Sequence, residues 1–292
     1  MQITAAMVKE LRERTGSGMM ECKKALTEVD GDMEAAIEAM RKSGLAKADK
    51  KADRVAAEGL IGIEMSADAK TVAIAEVNCE TDFVSGGDEF AAFTANVAKQ
   101  VLANSPADVA ALSELPITDG ADSIEMTRKN MITKIGENIQ VRRFQRIEAV
   151  GKMGSYKHGS RIGVVVDIEG GDDELLKDIA MHVAATNPTC VSEDQVPADM
   201  LEKEKAILIA QAEESGKPAE IIEKMIGGRI RKYLAEITLV GQPFIKDSDK
   251  TVGQLLKEKG ATVHSFVRLG VGEGIEKKTE DFAAEVMSQI NA

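Results

Sequence analysis

The sequence contains no tryptophan, and aromatic residues make up only 3% of its 292 residues. Its three cysteines, Cys22, Cys79 and Cys190, lie far apart and form no CxxC pair. Isolated cysteines in an odd number are typical of free thiols in a reducing compartment. No apolar run approaches the ~20 residues that a membrane span requires, and the N-terminal residues have no signal-peptide core. These absences predict a cytoplasmic protein that does not interact with a membrane.

Motifs that bind phosphate are missing as well. Residues 215–218 contain a Gly-Lys pair but lack the preceding strand and the glycine spacing of a Walker loop. Three glycines between residues 270 and 274 follow a predicted strand, but the nearby Glu273 and Glu276 would repel a phosphate group. The sequence therefore predicts no direct nucleotide binding and no cofactor.

No arrangement of side chains points to an enzyme. The three histidines, His158, His182 and His264, are scattered along the chain. Cys190 could use His182 as a base, but a proline separates them in sequence, and most cysteines are structural. We therefore predict no catalytic residue and no metal site, and an enzyme that uses Cys190 or Cys79 is the least favoured class.

The charge balance is acidic, with 49 acidic and 37 basic residues and a formal net charge of -12. Such a balance argues against a general nucleic-acid binder, since phosphate contacts need clustered lysine and arginine. One local exception runs from residue 41 to residue 54, with six basic and two acidic residues. A solvated helical tether is the favoured interpretation of this basic run, and contact with nucleic acid or an acidic partner is the alternative.

Hydrophobic periodicity predicts three short helices at the N-terminus. Thr4 caps the first helix, which ends at Gly16, and the second helix covers residues 18–29. The third covers residues 33–42 and is stopped by the Ser-Gly pair at residues 43–44.

Two consecutive methionines, Met19 and Met20, lie in the second predicted helix. Neighbouring side chains on a helix diverge by about 100°, so the two cannot both face inward and one of them should be exposed. A flexible exposed methionine suits a partner surface, but isolated exposed apolar residues are also common.

The hydrophobic patterns in the middle of the chain predict an α+β core built from two similar units. Strands at 58–65 and 71–79 form an antiparallel hairpin, and an amphipathic helix follows from Phe90. An offset of 86 residues superposes this helix on the one predicted at 175–186, which indicates an internal duplication. The other predicted elements are a strand at 139–150, a strand at 161–168, helices at 197–215 and 218–237 that form a hairpin, a helix capped by Ser248 that ends at residue 259, a strand at 262–269 and a C-terminal helix capped by Thr279.

These patterns divide the chain into four parts. They are an N-terminal three-helix module with its linker (1–54), a first core subdomain (55–140), a second core subdomain (141–278) with the hairpin at 197–237, and a C-terminal helical module (279–292).

Residues 78–84 form the most informative stretch, because Thr81, Asp82, Phe83 and Val84 follow a strand and precede a helix. The second unit has no such segment at its turn. Phe83 has two interpretations that the sequence leaves open: it caps the core, or it projects from a rigid turn to act on a partner.

Several stretches together resemble one family, the bacterial translation elongation factor Ts proteins, over essentially the whole chain. The matching segments lie at residues 11–16, 18–26, 76–84, 134–139, 158–159, 161–163 and 251–256. The resemblance implies an N-terminal module like the ubiquitin-associated domain, a two-subdomain α+β core, an inserted antiparallel helical hairpin and a short C-terminal helical module.

The resemblance also implies a function, guanine-nucleotide exchange on the GTPase elongation factor Tu. Thr81, Asp82, Phe83 and Val84 would then press on the partner near its magnesium ion and phosphate loop. Further partner contacts would come from Met19, Met20 and Lys23 in the N-terminal module and from His158 and Gly159 in the core. The assembly with elongation factor Tu would be 1:1 or 2:2. The alternative function is a ubiquitin-associated-like scaffold that recruits RNA or another protein.

Overall fold

The structure is a computed structural model that describes residues 2–119, 121–213 and 219–276. It combines helices with small antiparallel sheets, which confirms the α+β class. None of the helices in these ranges is both long and apolar enough to span a membrane.

Three helices form the N-terminal part: α1 (Ala5–Thr15), α2 (Met19–Glu28) and α3 (Met33–Asp49). The Thr4 side chain accepts a hydrogen bond from the Met7 N–H, so Thr4 caps α1 as predicted, and Gly16 ends α1 in the left-handed conformation. A small apolar core joins the three helices, with Leu11 and Leu26 fully buried.

Helix α3 is longer than the sequence predicted, because residues 43–44 do not stop it. Gly44 lies where α3 packs closely on a later helix, α7 (residues 124–135): a Cβ atom at Gly44 would lie 2.8 Å from Thr133 Oγ1. The Thr133 hydroxyl in turn donates a hydrogen bond to the Gly44 carbonyl oxygen at 3.0 Å. This glycine permits a helix–helix contact rather than a helix end.

The first half of the core contains one three-stranded antiparallel sheet of order β1-β2-β3. Its elements in chain order are β1 (Glu58–Met65), β2 (Thr71–Cys79), α4 (Asp82–Ser85), α5 (Asp88–Asn104), α6 (Val109–Glu114), α7 (Ile124–Ile135) and β3 (Gln140–Glu148). The predicted hairpin is confirmed, with Ile63 paired to Ile74. Helix α5 covers one face of this sheet through its apolar stripe, in which Phe90 and Val97 are fully buried.

The second half repeats this arrangement in a sheet of order β4-β5-β8. Its elements are β4 (Lys152–His158), β5 (Ile162–Glu169), α8 (Asp173–Thr186), α9 (Ala198–Glu213), α10 (Ala219–Ile237), β6 (Pro243–Phe244), β7 (Asp247–Thr251), α11 (Val252–Glu258) and β8 (Thr262–Gly270). In both sheets the middle strand, β2 or β5, is followed by a helix that packs on the sheet.

Two features of the second half differ from the prediction. Strand β4 was not expected; it is an edge strand in which only Met153 and Gly154 are buried, so its apolar alternation is weak. The helix before β8 is capped by Thr251 and not by Ser248, which lies in β7. Thr251 and Gln254 exchange the two hydrogen bonds of a capping box, and this fixes the start of α11.

The two sheets face each other across an apolar layer. This layer contains Ile61, Val72, Ile74, Met153, Val165, Leu269 and Val271. Strand β3 lies in the first sheet, beside β2, and the chain passes from the first sheet to the second between Glu148 and Lys152.

A buried carboxylate, Glu76 in β2, adds a polar connection between the halves. It accepts hydrogen bonds from Arg143 Nε at 2.6 Å, Arg142 Nη1 at 3.0 Å and the Gly272 N–H at 2.8 Å. A bulge in β3 opposite Glu76 lets two consecutive arginines reach the same carboxylate. Burial raises the pKa of Glu76, but the bonds from Gly272, Arg143, Asn78 and Arg142 outweigh it and hold the pKa below its ordinary value.

Helices α9 and α10 pack against each other, as expected of the predicted hairpin. Their connection and the helix predicted from Thr279 lie outside the described residues.

Candidate functional site

The segment that follows β2 is the feature that most distinguishes the two halves. Eight residues, Glu80 to Gly87, connect β2 to α5, whereas three residues connect β5 to α8. The extra length forms the single helical turn α4, which is closed by a hydrogen bond of 2.8 Å from the Gly86 N–H to the Asp82 carbonyl oxygen. The first half thus carries a projecting turn that the second half lacks.

The base of this turn is tied to the rest of the protein on two sides. Glu137 accepts both the Thr81 N–H at 3.0 Å and the Thr81 hydroxyl at 2.6 Å. On the other side, Val84 packs against the apolar core under α5. Two of the four predicted residues therefore serve as anchors.

The other two residues, Asp82 and Phe83, point into solvent. Phe83 keeps 90% of its surface exposed, so the interpretation that it caps the core is wrong. Asp82 is also exposed, and its carboxylate makes no hydrogen bond or ion pair with any described residue. A large apolar ring and a free carboxylate on a fixed base suit contact with another macromolecule, because an exposed aromatic ring gains free energy when a partner buries it.

Glu80 and Asn138 extend the anchoring network beneath the turn. Glu80 accepts the Asn138 N–H at 2.6 Å and forms an ion pair of 2.7 Å with Arg54. The Asn138 side chain donates to the Ala52 and Arg54 carbonyl oxygens at 3.2 and 2.7 Å. Sequence reasoning did not find these partners, although residues 134–139 are among the segments that match the family.

The candidate thiol chemistry finds no support. Cys190 donates to the Ser192 carbonyl oxygen, and burial raises the pKa of its thiol. His182 hydrogen-bonds Gln242 at 2.9 Å, and burial lowers the pKa of its imidazole. Burial, with the nearby Glu137 carboxylate, raises the pKa of Cys79 to about 12. These thiols are protonated at neutral pH and are poor nucleophiles.

Residues Met19, Met20 and Lys23 share one exposed surface at the start of α2. Met19 is 55% and Met20 is 78% exposed, so both methionines, not one, face solvent. Lys23 is exposed, and its ammonium group has no ion-pair partner among the described residues. The N-terminal part therefore offers a second surface with apolar and cationic character.

His158 and Gly159 lie at the turn between β4 and β5. His158 is exposed, and its Nδ1 atom lies 3.2 Å from the Tyr156 hydroxyl oxygen. Gly159 takes a φ of +57°, which favours glycine in this turn. No hydrogen bond or ion pair found in the described ranges joins this turn, the Met19 surface and the Phe83 turn, so they are three separate candidate contacts.

Several basic residues of the run at residues 41–54 form ion pairs or hydrogen bonds within the protein. Arg41 pairs with Asp122 at 3.1 Å and Lys42 pairs with Glu38 at 2.7 Å. Lys51 donates to the Gly136 carbonyl oxygen at 2.5 Å, and Arg54 pairs with Glu80. The three ion pairs neutralise three of the six basic residues in this run, which reduces the free positive charge that nucleic-acid binding would need.

Comparison with known proteins gives the relatives of this chain. The family model described as Elongation factor TS matches residues 80–273. Elongation factor Ts of Thioalkalivibrio sulfidiphilus is 65% identical over 291 residues, which cover 99% of each chain. Elongation factor Ts of Methylococcus capsulatus is 61% identical and that of Halorhodospira halophila 59%, with 100% and 99% of each chain covered. This chain therefore belongs to the elongation factor Ts family.

Proposed function

We propose that this protein is a cytoplasmic guanine-nucleotide exchange factor for the GTPase elongation factor Tu. Family membership supplies the partner class. The observation that carries the proposal is the pair of exposed side chains, Phe83 and Asp82, on a base that Thr81 and Val84 hold in place. The factor does no bond chemistry of its own, and the nucleotide is bound by its partner.

The mechanism rests on thermodynamic linkage. A factor that binds the nucleotide-free GTPase more tightly than the GDP-bound form must weaken GDP binding by the same ratio. A rigid projecting turn can supply this difference if it fits the partner only when the nucleotide site is distorted. The hydrogen bonds that anchor the base of the turn are important for this reason. A flexible turn would change its own shape to fit the partner and would leave the nucleotide site unchanged.

Each exposed side chain has a separate role in this mechanism. The Phe83 ring enters between apolar side chains of the partner and acts as a wedge near the magnesium and phosphate site. The Asp82 carboxylate makes a polar contact that helps to displace the magnesium ion. Losing that ion removes a large positive charge that holds the GDP phosphates, so GDP dissociates faster.

The other exposed groups supply affinity. Met19, Met20 and Lys23 dock on the GTPase domain, since methionine adapts to irregular apolar surfaces and lysine pairs with acidic ones. His158 and Gly159 contact a different part of the partner. With contacts at three separate places, loss of one weakens the complex without abolishing it.

The finer architecture is part of the same proposal. The N-terminal module resembles a ubiquitin-associated domain, and the two sheet-and-helix units arose by duplication. A subdomain boundary between Glu148 and Lys152 accords with the sheets better than one at residue 140. The hairpin at residues 197–237 is an insertion in the second core subdomain, and the complex is 1:1 or 2:2.

The alternative, a scaffold that recruits RNA or another protein, is not favoured. Its sequence support was the basic run, and the ion pairs of Arg41, Lys42 and Arg54 reduce that support. The scaffold function would require that the isolated protein binds transfer RNA at physiological salt.

A direct assay tests the exchange function. Elongation factor Tu loaded with a fluorescent GDP analogue is mixed with excess unlabelled GDP, with and without this protein. We expect micromolar protein to accelerate release of the analogue. An unchanged release rate would exclude the exchange function.

A further inference from the structure

We propose that Glu137 is a positioning residue that sets the direction in which α4 presents Phe83 to the partner. The inference rests on the proposed exchange function. It gives a role to residues 134–139, to which the proposed function assigns none. Glu137 is hydrogen-bonded to Thr81 at the base of the turn, and it acts on the partner through the exposed side chains of α4, Phe83 and Asp82.

The hydrogen bonds of Thr81 differ from those of an ordinary N-cap residue. Thr81 occupies the N-cap position of α4, where a threonine hydroxyl commonly accepts a hydrogen bond from the helix. Here its side chain makes no such bond and instead donates to Glu137 at 2.6 Å, while the Thr81 N–H donates to the other carboxylate oxygen at 3.0 Å. Two charge-assisted bonds to one residue fix both its position and its orientation.

Glu137 is held in place by the residues on either side of it. Gly136 ends α7 with a φ of +92°, a left-handed conformation that turns the chain toward Thr81. The Gly136 carbonyl oxygen accepts from Lys51, and the Asn138 side chain donates to the carbonyl oxygens of Ala52 and Arg54. The residues on both sides of Glu137 are thus bonded to the segment that follows α3.

The segment at residues 136–138 connects two of the candidate contact surfaces. Residues 136–138 bind the base of the Phe83 turn through Thr81 and Glu80, and they bind the chain that leads from the N-terminal helices. These hydrogen bonds fix the position of the Met19 surface relative to the Phe83 turn. When the Met19 surface docks on the partner, the Phe83 turn is therefore placed against the partner as well. Glu137 is the member of this segment whose side chain contacts the turn.

The role is separable from folding. The Glu137 side chain is only partly buried, whereas the end of α7 is held in the core by Met131 and Ile132. Glu137→Ala should therefore keep the fold and lose the orientation of α4.

The test separates partner binding from exchange. Release of a fluorescent GDP analogue from elongation factor Tu is measured over a range of factor concentrations, which gives a limiting rate and a half-saturating concentration. For Glu137→Ala we expect the limiting rate to fall about tenfold, with little change in the half-saturating concentration. Glu137→Gln should give an intermediate rate, because its one side-chain oxygen can accept only part of the Thr81 pair. Glu114→Ala, at an exposed glutamate that ends α6, is the matched control and should match the wild type.

Two further measurements distinguish positioning from a structural role. In a background that lacks both exposed side chains, Asp82→Ala with Phe83→Ala, Glu137→Ala should cause no additional loss of limiting rate, because α4 carries both side chains and Glu137 acts through them. Thermal midpoints of the Glu137 variants should lie within a few degrees of the wild type. A wild-type limiting rate in Glu137→Ala, a further loss in the background that lacks both Asp82 and Phe83 side chains, or a large fall in thermal midpoint would each overturn the inference. All three leave the exchange function standing, which fails only if the wild-type protein does not accelerate release.

Discussion

Replacing Phe83 by alanine should slow GDP release from elongation factor Tu without destabilising the factor. Truncating a buried phenylalanine typically costs ~3–5 kcal/mol of unfolding free energy. Phe83 keeps 90% of its surface exposed, so little of that burial exists in the free protein. We expect a change below about 0.5 kcal/mol, or less than about 2 °C in thermal midpoint.

The effect on exchange should be much larger. Aromatic side chains at the centre of an interface commonly contribute at least ~2 kcal/mol on truncation. Since each 1.36 kcal/mol corresponds to a factor of ten, the accelerated release rate should fall roughly 30-fold. The assay is release of a fluorescent GDP analogue at a fixed factor concentration, together with thermal unfolding of the free factor.

Phe90→Ala is the matched control, because this second phenylalanine lies seven residues away and is fully buried in the core under α5. It should lose stability in the range given above for buried phenylalanine. A large fall in the midpoint of Phe83→Ala, or an unchanged release rate, would refute the reasoning that assigns Phe83 to the partner.

Three further predictions concern the packing of α3 and the buried side chains of β2, the strand that leads into this turn. Gly44→Ala should lower the thermal midpoint, because its Cβ would lie 2.8 Å from Thr133 Oγ1, whereas Gly227→Ala in α10 meets no atom within 4 Å and should stabilise by about 0.5–1 kcal/mol. Equal effects would contradict the packing of α3 on α7. The folded-state pKa of Glu76 lies below its ordinary value of 4.5, so its stabilising contribution is present above that pH and is lost as pH falls through the folded-state pKa. The free energy of unfolding, measured with urea between pH 5 and pH 3, should fall less steeply with decreasing pH in Glu76→Gln than in the wild type. The same pH dependence in both proteins would argue against this role of Glu76. The Cys79 thiol, buried and with a pKa raised to about 12, should resist a disulfide reagent at pH 8 until the protein is unfolded, and rapid labelling of the native protein would contradict its burial.

The local elements were predictable because their patterns are local. The apolar residues of β1 and β2 indicated both strands and their hairpin, and Thr4 and Gly16 marked the ends of α1. The Phe83 turn could be located as a strand exit followed by a helix, but its direction could not. Whether an aromatic ring at a turn faces the core or the solvent depends on the surrounding packing, and here that packing exposes it.

Most of the errors share one cause, which is contact between residues distant in sequence. Gly44 looks like a helix stop until α7 is placed against α3. Strand β4 has little apolar alternation, because it lies at the edge of its sheet and buries only two residues. Glu137 and Thr81 are 56 residues apart, and no periodicity relates them. Only the resemblance of residues 134–139 to the family marked that segment as one with a role.

Reciprocity between GDP and the factor tests the central claim most directly. The affinity of elongation factor Tu for GDP is measured with and without saturating factor, and its affinity for the factor is measured with and without saturating GDP. The account predicts that both affinities weaken by the same ratio, and that Phe83→Ala reduces this ratio. GDP affinity that is unchanged by saturating factor would contradict the account.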